Sequence, residues 1–554
     1  MAEQREADQA RRSRVAEILK ENWIGPTRCL HGSLNEFRHW APEEVKRIFD
    51  LLPPIEERKL SPLGPESRYP PSGRQRWQQL AKKVGVLAAT DAVVLGVSPL
   101  LLLSEQGREG LGSVAKFNLR SIGSSFFVRP SDDLMREAAR TSRALCVNKW
   151  GRFRILDQGY AAISHVWAET MGLEFHDEKV EPDDRGVNFD HFTRIMAQAT
   201  KCGIDWIWFD LLAIPRNSDD PTKSDEIRQL KTSIINTLND VYRNADAVII
   251  LDSLTLQLRT NDPIPLAAVL SCGRWLTRVW TYQEIKLARR AVIVTADKCC
   301  DFKDMVDALL QEDLRDSNRW HSLRMTFDRL LPHTDVGVSL ADIACSSQNR
   351  SSTNDIDYAR GFFAVLGLKW KTEWTYEEGI LEIIKSQPQH AARIANMSGM
   401  RGLPEPYSWA PKYLVQLEGK VFDDFTDTPV GLVGFWNTIT VKEIKNFGPK
   451  RDNSKLIFDT EVLDKYGKTV DIQMTLPHTW SERLSRWRDE ARPDGQAKLL
   501  CAENPLYSDD LHVFLMVLQG TAIDTVCDAT GVVAGTAVLN AGELEGERLK
   551  WWLL

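Results

Sequence analysis

A carboxylate set among apolar groups at helical spacing is the first feature of this chain that could do chemistry. Within residues 274–290, Trp280, Glu284 and Ala288 recur every fourth residue with Leu287 alongside. One helical face would therefore carry an indole, an acid and two apolar groups. Apolar neighbours raise a carboxyl pKa by desolvation, whereas Arg278 or Arg289 would lower it by approaching as a salt-bridge partner. Both arrangements fit the spacing. Arg289 and Arg290 would close the helix, since cations oppose the partial negative charge of a helix C-terminus.

Such an acid needs a scaffold, and the flanking pattern supplies one. The β-branched run 291–295 reads as a buried strand. Upstream, 160–167, 204–214 (ended by Pro215) and 245–251 read as three more. Between them, 189–201 reads as a helix with Phe192, Ile195 and Met196 on one side. Ser224 suits an N-cap for a second helix, whose apolar positions Ile227, Leu230, Ile234, Leu238 and Val241 step by three or four. Strands alternating with helices predict an open parallel sheet covered on both faces, with right-handed crossovers.

Ligands of such sheets bind outside the carboxyl ends of the strands. Ser164, His165 and Trp167 would be delivered there, then residues 210–216, then Asp252 and Ser253, with Glu284 on a helix leaving the same edge. Each has an ordinary structural use as well. Trp167 and Trp280 can pack, Ser164 can close a strand end, and Asp210 can cap its loop. No G-x-G-x-x-G is present, which excludes an ordinary dinucleotide fold, and Gly110, Gly112 and Lys116 lack the Lys-Ser/Thr of a phosphate loop. Without G-x-S-x-G or a cysteine in a motif, a serine or thiol hydrolase is a weak reading.

With 554 residues the chain should hold several domains. Its 43% hydrophobic and 27% charged residues are those of a globular protein, and a formal charge of −7 argues against a nucleic-acid partner. Eighteen tryptophans imply large aromatic anchors. The nine cysteines are scattered, with no C-x-x-C and no His-rich partner set. That predicts reduced thiols, no metal site and a cytoplasmic location. The N-terminus is charged and helix-like rather than a signal peptide. Segment 84–104 is long enough to cross a bilayer, but Asp91 near its centre would cost about 2.5–3.5 kcal/mol, so a buried helix followed by a strand is expected instead. The pattern divides the chain into N-terminal helices at 1–52 and a linker at 53–74 with six prolines. A mixed α/β region at 75–155 and the alternating unit at 156–310 follow. A helical stretch spans 311–415, and residues 416–554 are rich in short strand-like runs, with helices expected at 479–491 and 494–502.

Taken in order, these pieces resemble the fungal heterokaryon incompatibility (HET) domain. Tyr160, Ala162, Ser164 and Trp167 match its Y-x-A-x-S-x-x-W opening. Trp208, Asp210, Leu212 and Ile214 match W-x-D-x-L-C-I-D/N-Q, while Val241, Tyr242 and Ala245 resemble I-Y-x-x-A. Arg278, Trp280, Thr281, Gln283, Glu284, Leu287 and Ala288 meet R-x-W-T-x-Q-E-x-x-L-A in full. Residues 354–368 resemble the D-P-R-D-K-I-Y-A-L-L-G-L segment that follows in the family, and 408–411 its later S-W-x-P. Ala213 stands for the usual Cys, Pro215 and Arg216 for Asp/Asn-Gln, and Ala168 for a common Gly, so a ligand held by the second loop would meet an altered surface.

The resemblance implies an α/β fold with a flavodoxin/TIR-like parallel sheet as the HET domain, a helical N-terminal region and an α+β, β-rich C-terminal region. It implies fungal allorecognition and induced cell death. HET domains look distantly like TIR domains, whose glutamate on the helix after the third strand splits NAD into nicotinamide and an ADP-ribose product. Glu284 occupies that place. The implied site is Glu284 as the catalytic group with Ser164, Trp167, Asp210 and Trp280 as substrate-binding residues, NAD as substrate and no cofactor. Cleaving the nicotinamide–ribose bond develops positive charge on the sugar, which a carboxylate beside the ribose would stabilise. The competing implication is a non-catalytic module that signals by self-association or by binding a protein partner.

Overall fold

The run AVIIL at Ala247–Leu251 is buried along its whole length, as a parallel strand covered on both faces should be. It forms the middle of a sheet in a computed structural model of the chain. The structure describes residues 2–22, most of 36–58, 62–63, 127–170, 186–215, 221–331 except 261, and most of 338–387. It also describes single positions between 403 and 414, and strands between 425 and 553 with some of their turns. The chain divides into two units, Met1–Thr334 and Asp335–Leu554.

In the first unit the strands are β1 (Phe127–Val128), β2 (Ala144–Asn148), β3 (Phe153–Leu156), β4 (Ala161–His165), β5 (Val187–Asn188), β6 (Trp206–Trp208), β7 (Ala247–Leu251), β8 (Ala291–Val294) and β9 (Cys299–Asp301). A seven-stranded sheet runs β3-β2-β6-β4-β7-β8-β9, and β1 pairs with β5 apart from it. β6, β4, β7 and β8 are mutually parallel, so the four expected strands form the core in the order second, first, third, fourth. The sheet as a whole is mixed rather than parallel. β2 pairs antiparallel with β6 and carries β3 as a hairpin, and β9 closes the other edge antiparallel to β8. One face is packed by Phe192, Ile195, Met196 and Ala199 of the Phe189–Lys201 helix against Ile163, Ile207, Ile249 and Val294. Each large side chain buried there contributes about 1.5–3 kcal/mol.

Several expected boundaries shift. The second strand stops at Trp208, and Asp210–Ala213 turns into one helical turn, its first N–H at Leu211 accepted by the Asp210 carboxylate at 2.6 Å. A short apolar run cannot be told from a buried helical turn by periodicity. The long 224–241 helix is two, Pro221–Ile235 and Leu238–Asn244, broken where the Thr237 hydroxyl bonds back to the Ile234 carbonyl at 2.7 Å. The 275–290 helix is also broken. Trp275–Thr277 is a 3-10 turn, Arg278 is extended, and the α-helix spans only Trp280–Lys286. Thr281 holds the break by donating to the Trp275 and Arg278 carbonyls at 2.7 and 2.9 Å. Arg289 and Arg290 therefore lie beyond the helix. Arg290 pairs with Asp301 at 2.8 Å instead.

The reading of reduced, scattered thiols needs correction at one pair. Cys202, just past the Phe189–Lys201 helix, is disulfide-bonded to Cys299 of β9, with Cα atoms 6.0 Å apart. A separation of 97 residues gives no sequence hint of this. Lys201 ties the same junction by donating to the Ala296 carbonyl at 2.9 Å.

Pro42 opens the Pro42–Phe49 helix as expected, with Val45, Ile48 and Phe49 buried. Among the described residues no helix is long and apolar enough to cross a membrane. Segment 84–104, most of the proline-rich linker and the helix expected at 479–491 lie outside the described residues.

In the second unit, the Tyr376–Ser386 helix starts with a capping box between Thr375 and Glu378. The remainder is β-rich, as expected. Gly431–Lys445 pairs with Lys455–Leu463, then come Thr469–Pro477, Val526–Leu539, His512–Ile523 and Lys498–Cys501, which pairs back onto Gly431–Lys445. The antiparallel circuit is closed. Residues 498–501 are thus strand, not the expected helix, because Leu499 and Leu500 fill buried positions within that circuit.

Candidate functional site

β4 ends in two polar residues, Ser164 and His165, both buried. The Ser164 hydroxyl donates to Glu284 Oε2 and accepts the Trp275 indole N–H at 2.7 Å. Tyr242, from the helix before β7, also bonds the Glu284 carboxylate. Two hydroxyls thus converge on one acid, and the Trp275 indole is linked to it through Ser164. Glu284 is 6% exposed, and burial pushes its carboxyl up to about 7. The Asp210 charge raises it further, while the bonds from Ser164 and Tyr242 and the charge of His165 pull it back. Neither Arg278 nor Arg289 is among these dominant influences. Of the two alternatives open in the sequence, the desolvated acid is the one found. The Tyr242 hydroxyl is held well above its ordinary range by burial and by the Glu284 charge.

Beside it lies a second network. Asp210 accepts from the Trp167 indole through Oδ2 and lies 2.7 Å from His165 Nε2 through Oδ1. His165 Nδ1 faces the Thr170 hydroxyl at 2.7 Å. In the neutral imidazole with Nε2–H donating to the carboxylate, Nδ1 accepts from Thr170; in the imidazolium both nitrogens donate. Hydroxyl, imidazole and acid in this order have the connectivity of a nucleophile, base and orienting group. Thr170 is only 2% exposed, however, and its hydroxyl also lies 3.3 Å from the Val166 carbonyl. The arrangement closes the helical turn after β4.

A third group sits after β7. Asp252 accepts from the backbone N–H groups of Leu254, Thr255 and Trp275 at 3.0, 3.2 and 3.2 Å. Glu169 accepts from Ser253 N at 3.0 Å, and Arg274 Nε stands 3.9 Å from Glu169. Burial, and for Glu169 the charge of Asp252, raise both carboxyls, with Arg274 opposing.

Of the residues singled out from sequence, Ser164 and Glu284 touch directly, Asp210 and Trp167 bond to each other, and Asp210 acts on Glu284 through its charge. Trp280 is half-buried at the head of its helix and takes no part in these bonds. Arg216 lies outside the described residues. Sequence reasoning passed over Tyr242 and Trp275 as site residues. Nine helical residues separate Trp275 from Glu284, which at about 100° per residue puts them on opposite faces of one helix. The break at Arg278 is what brings them to the same hydroxyl. Comparison of the chain with protein-family models, curated proteins and solved structures gives no match.

Proposed function

We propose that the first unit contains a HET-type, distantly TIR-like domain of the fungal allorecognition and cell-death class, and that its Glu284 cleaves the nicotinamide–ribose bond of NAD. The carrying observation is Ser164, from the end of the first parallel strand, bonded to an acid on the helix after the third, with no arginine among the groups that set its charge. The order second, first, third, fourth of its four parallel strands supports a flavodoxin-like reading of the sheet. Its topological switch point lies between β4 and β7, where Ser164 and Asp252 end their strands.

In the proposed reaction the C1–N bond of the ribosyl nicotinamide breaks heterolytically and neutral nicotinamide leaves with the bonding pair. The resulting ribosyl cation takes up water at C1 and loses a proton, giving ADP-ribose. Glu284 as an anion stabilises the cationic sugar, a contribution made chiefly in the transition state. In the arrangement described the acid is closed off, so the reading requires the cover over it to part, and self-association is the proposed trigger. The same burial favours the second reading, a non-catalytic signalling module that assembles with itself or with a protein partner.

The test is nicotinamide release from NAD by the purified chain over rising protein concentration. The catalytic reading expects release that Glu284→Ala and Glu284→Gln both abolish with the fold intact. No release by the wild type at any concentration, even when it is clustered, leaves the signalling reading.

A further inference from the structure

The hydroxyl between Trp275 and Glu284 has one proton to give. An indole N–H is a donor only, so Trp275 occupies Ser164 as an acceptor and cannot receive its proton. With the Trp275 N–H at 2.7 Å from Ser164 Oγ, the serine proton is left to point at Glu284 Oε2. A proton taken up by Glu284 on that same oxygen would face the serine hydrogen, so protonation there requires the hydroxyl to turn away.

Trp275 is itself held by its backbone. Its N–H is accepted by Asp252 Oδ2 at 3.2 Å, while Asp252 Oδ1 takes the N–H groups of Leu254 and Thr255. A Cβ at position 273 would collide with the Asp252 carboxylate, so only glycine lets the chain pass that close before it turns into Trp275. Glu169 fixes the same loop from the other side through Ser253 N. A continuous chain of contacts therefore runs from the loop after β7 to the acid: Gly273, Asp252, Trp275, Ser164, Glu284.

We propose that Trp275 is a positioning residue for Glu284, whose indole commits the Ser164 proton to the carboxylate, and that the Gly273–Asp252 clamp holds Trp275 where it can do so. The protonation of Glu284 is thereby set from the 252–255 loop as well as from its direct neighbours. The charged and titratable groups facing the acid are Asp210, His165 and Tyr242; those facing the clamp are Glu169, Arg274 and Cys272. The kinetic consequence rests on the catalytic reading of Glu284, but the positioning does not.

The experiment reads the carboxyl directly. In full-length protein labelled with 13C at the glutamate side-chain carboxyl, the Glu284 signal is assigned as the one missing in Glu284→Gln, and its midpoint is followed with pH. Trp275→Phe keeps the ring and removes the donor. It should raise the midpoint by about 0.5–1 pH unit, the scale of one lost hydrogen bond. In a Ser164→Ala background the same substitution should add nothing, because the hydroxyl it acts through is gone. Gly273→Ala should move the midpoint in the same direction as Trp275→Phe.

A folded Trp275→Phe protein with an unmoved midpoint, or an equal shift in the Ser164→Ala background, overturns the proposal. Should Trp275→Phe not fold, the wild type still decides. One 15N-labelled indole should titrate with the Glu284 midpoint and be displaced by Ser164→Ala, and a set of indoles blind to that titration overturns the proposal. If NAD is cleaved, the acidic limb of the rate profile should move upward with the Trp275→Phe midpoint. Failure to cleave NAD with these titrations intact removes the catalytic reading alone. Cleavage whose pH profile ignores Trp275→Phe removes the positioning alone.

Discussion

Glu284 keeps a proton that its unfolded counterpart would lose. The unfolded carboxyl ionises near 4.5 and the folded one near 7, so between those values the folded state binds more protons. The stability this contributes is whole below about pH 4.5 and is lost as pH rises through about 7, at about 1.4 kcal/mol per pH unit. Glu36, pushed up to about 8 by burial against the opposing bonds from Thr326 and Ser271, acts in the same sense. Glu284→Gln retains size and hydrogen bonding without the charge. Urea unfolding at pH 5 and pH 8 should show the wild type losing about 2–3 kcal/mol more across that interval than Glu284→Gln does. An identical loss in both proteins would mean that Glu284 is ionised throughout. Glu284→Ala should be worse at either pH, since it strands the Ser164 and Tyr242 hydroxyls at about 1–3 kcal/mol. The desolvation of this acid is legible in the sequence, although Leu287 and Ala288, two of the apolar neighbours that suggest it, lie beyond the helix that ends at Lys286. The rest of its network is not, since Tyr242, which bonds it, and Trp275, which bonds Ser164, are placed where two expected helices are broken.

Elements whose burial is continuous were the easiest to read. AVIIL at β7 and AVIV at β8 have no polar alternative, and helix 189–201 turned its predicted Phe192, Ile195 and Met196 to the sheet. The edges were harder. β2, β3 and β9 are held antiparallel by ladder bonds that leave no period in the sequence distinct from other short runs, and so a mixed sheet was read as parallel. The Cys202–Cys299 bond belongs to the same class of non-local fact. It closes a loop of 97 residues that includes Asp210, Tyr242, Asp252, Trp275 and Glu284. Cross-linking a loop of that length restricts the unfolded chain, and native disulfides typically contribute about 2–4 kcal/mol. Cys202→Ser should therefore lower the unfolding free energy of the first unit by that amount, and added reductant should do the same to the wild type but nothing further to the variant. A wild type indifferent to reductant would show that the cross-link adds no stability.

At the scale of the molecule, the question is how much chain the sheet needs in order to stand alone. The alternating pattern suggests residues 160–310, yet that piece ends inside the packing. β6 would lose the β2–β3 hairpin and present a bare edge, which invites pairing with other chains. The N-terminal helices are equally committed. Trp40 packs edge-on against Phe37 and Trp320 with ring centroids 5.1 and 4.5 Å away, and the Arg319 guanidinium lies over both tryptophans while pairing with Glu44. Glu36 accepts from Thr326 at 2.7 Å. Cutting at 160 and 310 removes Trp40 and Trp320 together and severs the Phe302–Arg315 helix. A fragment of residues 1–334 retains all of these contacts and every group around Glu284. Size-exclusion chromatography and thermal melting should find 1–334 monomeric with one cooperative transition, and 160–310 aggregated or without a transition. If 160–310 instead elutes as a well-folded monomer, the hairpin and the tryptophan cluster are dispensable decoration, and the sheet with its closed acid is a self-sufficient domain.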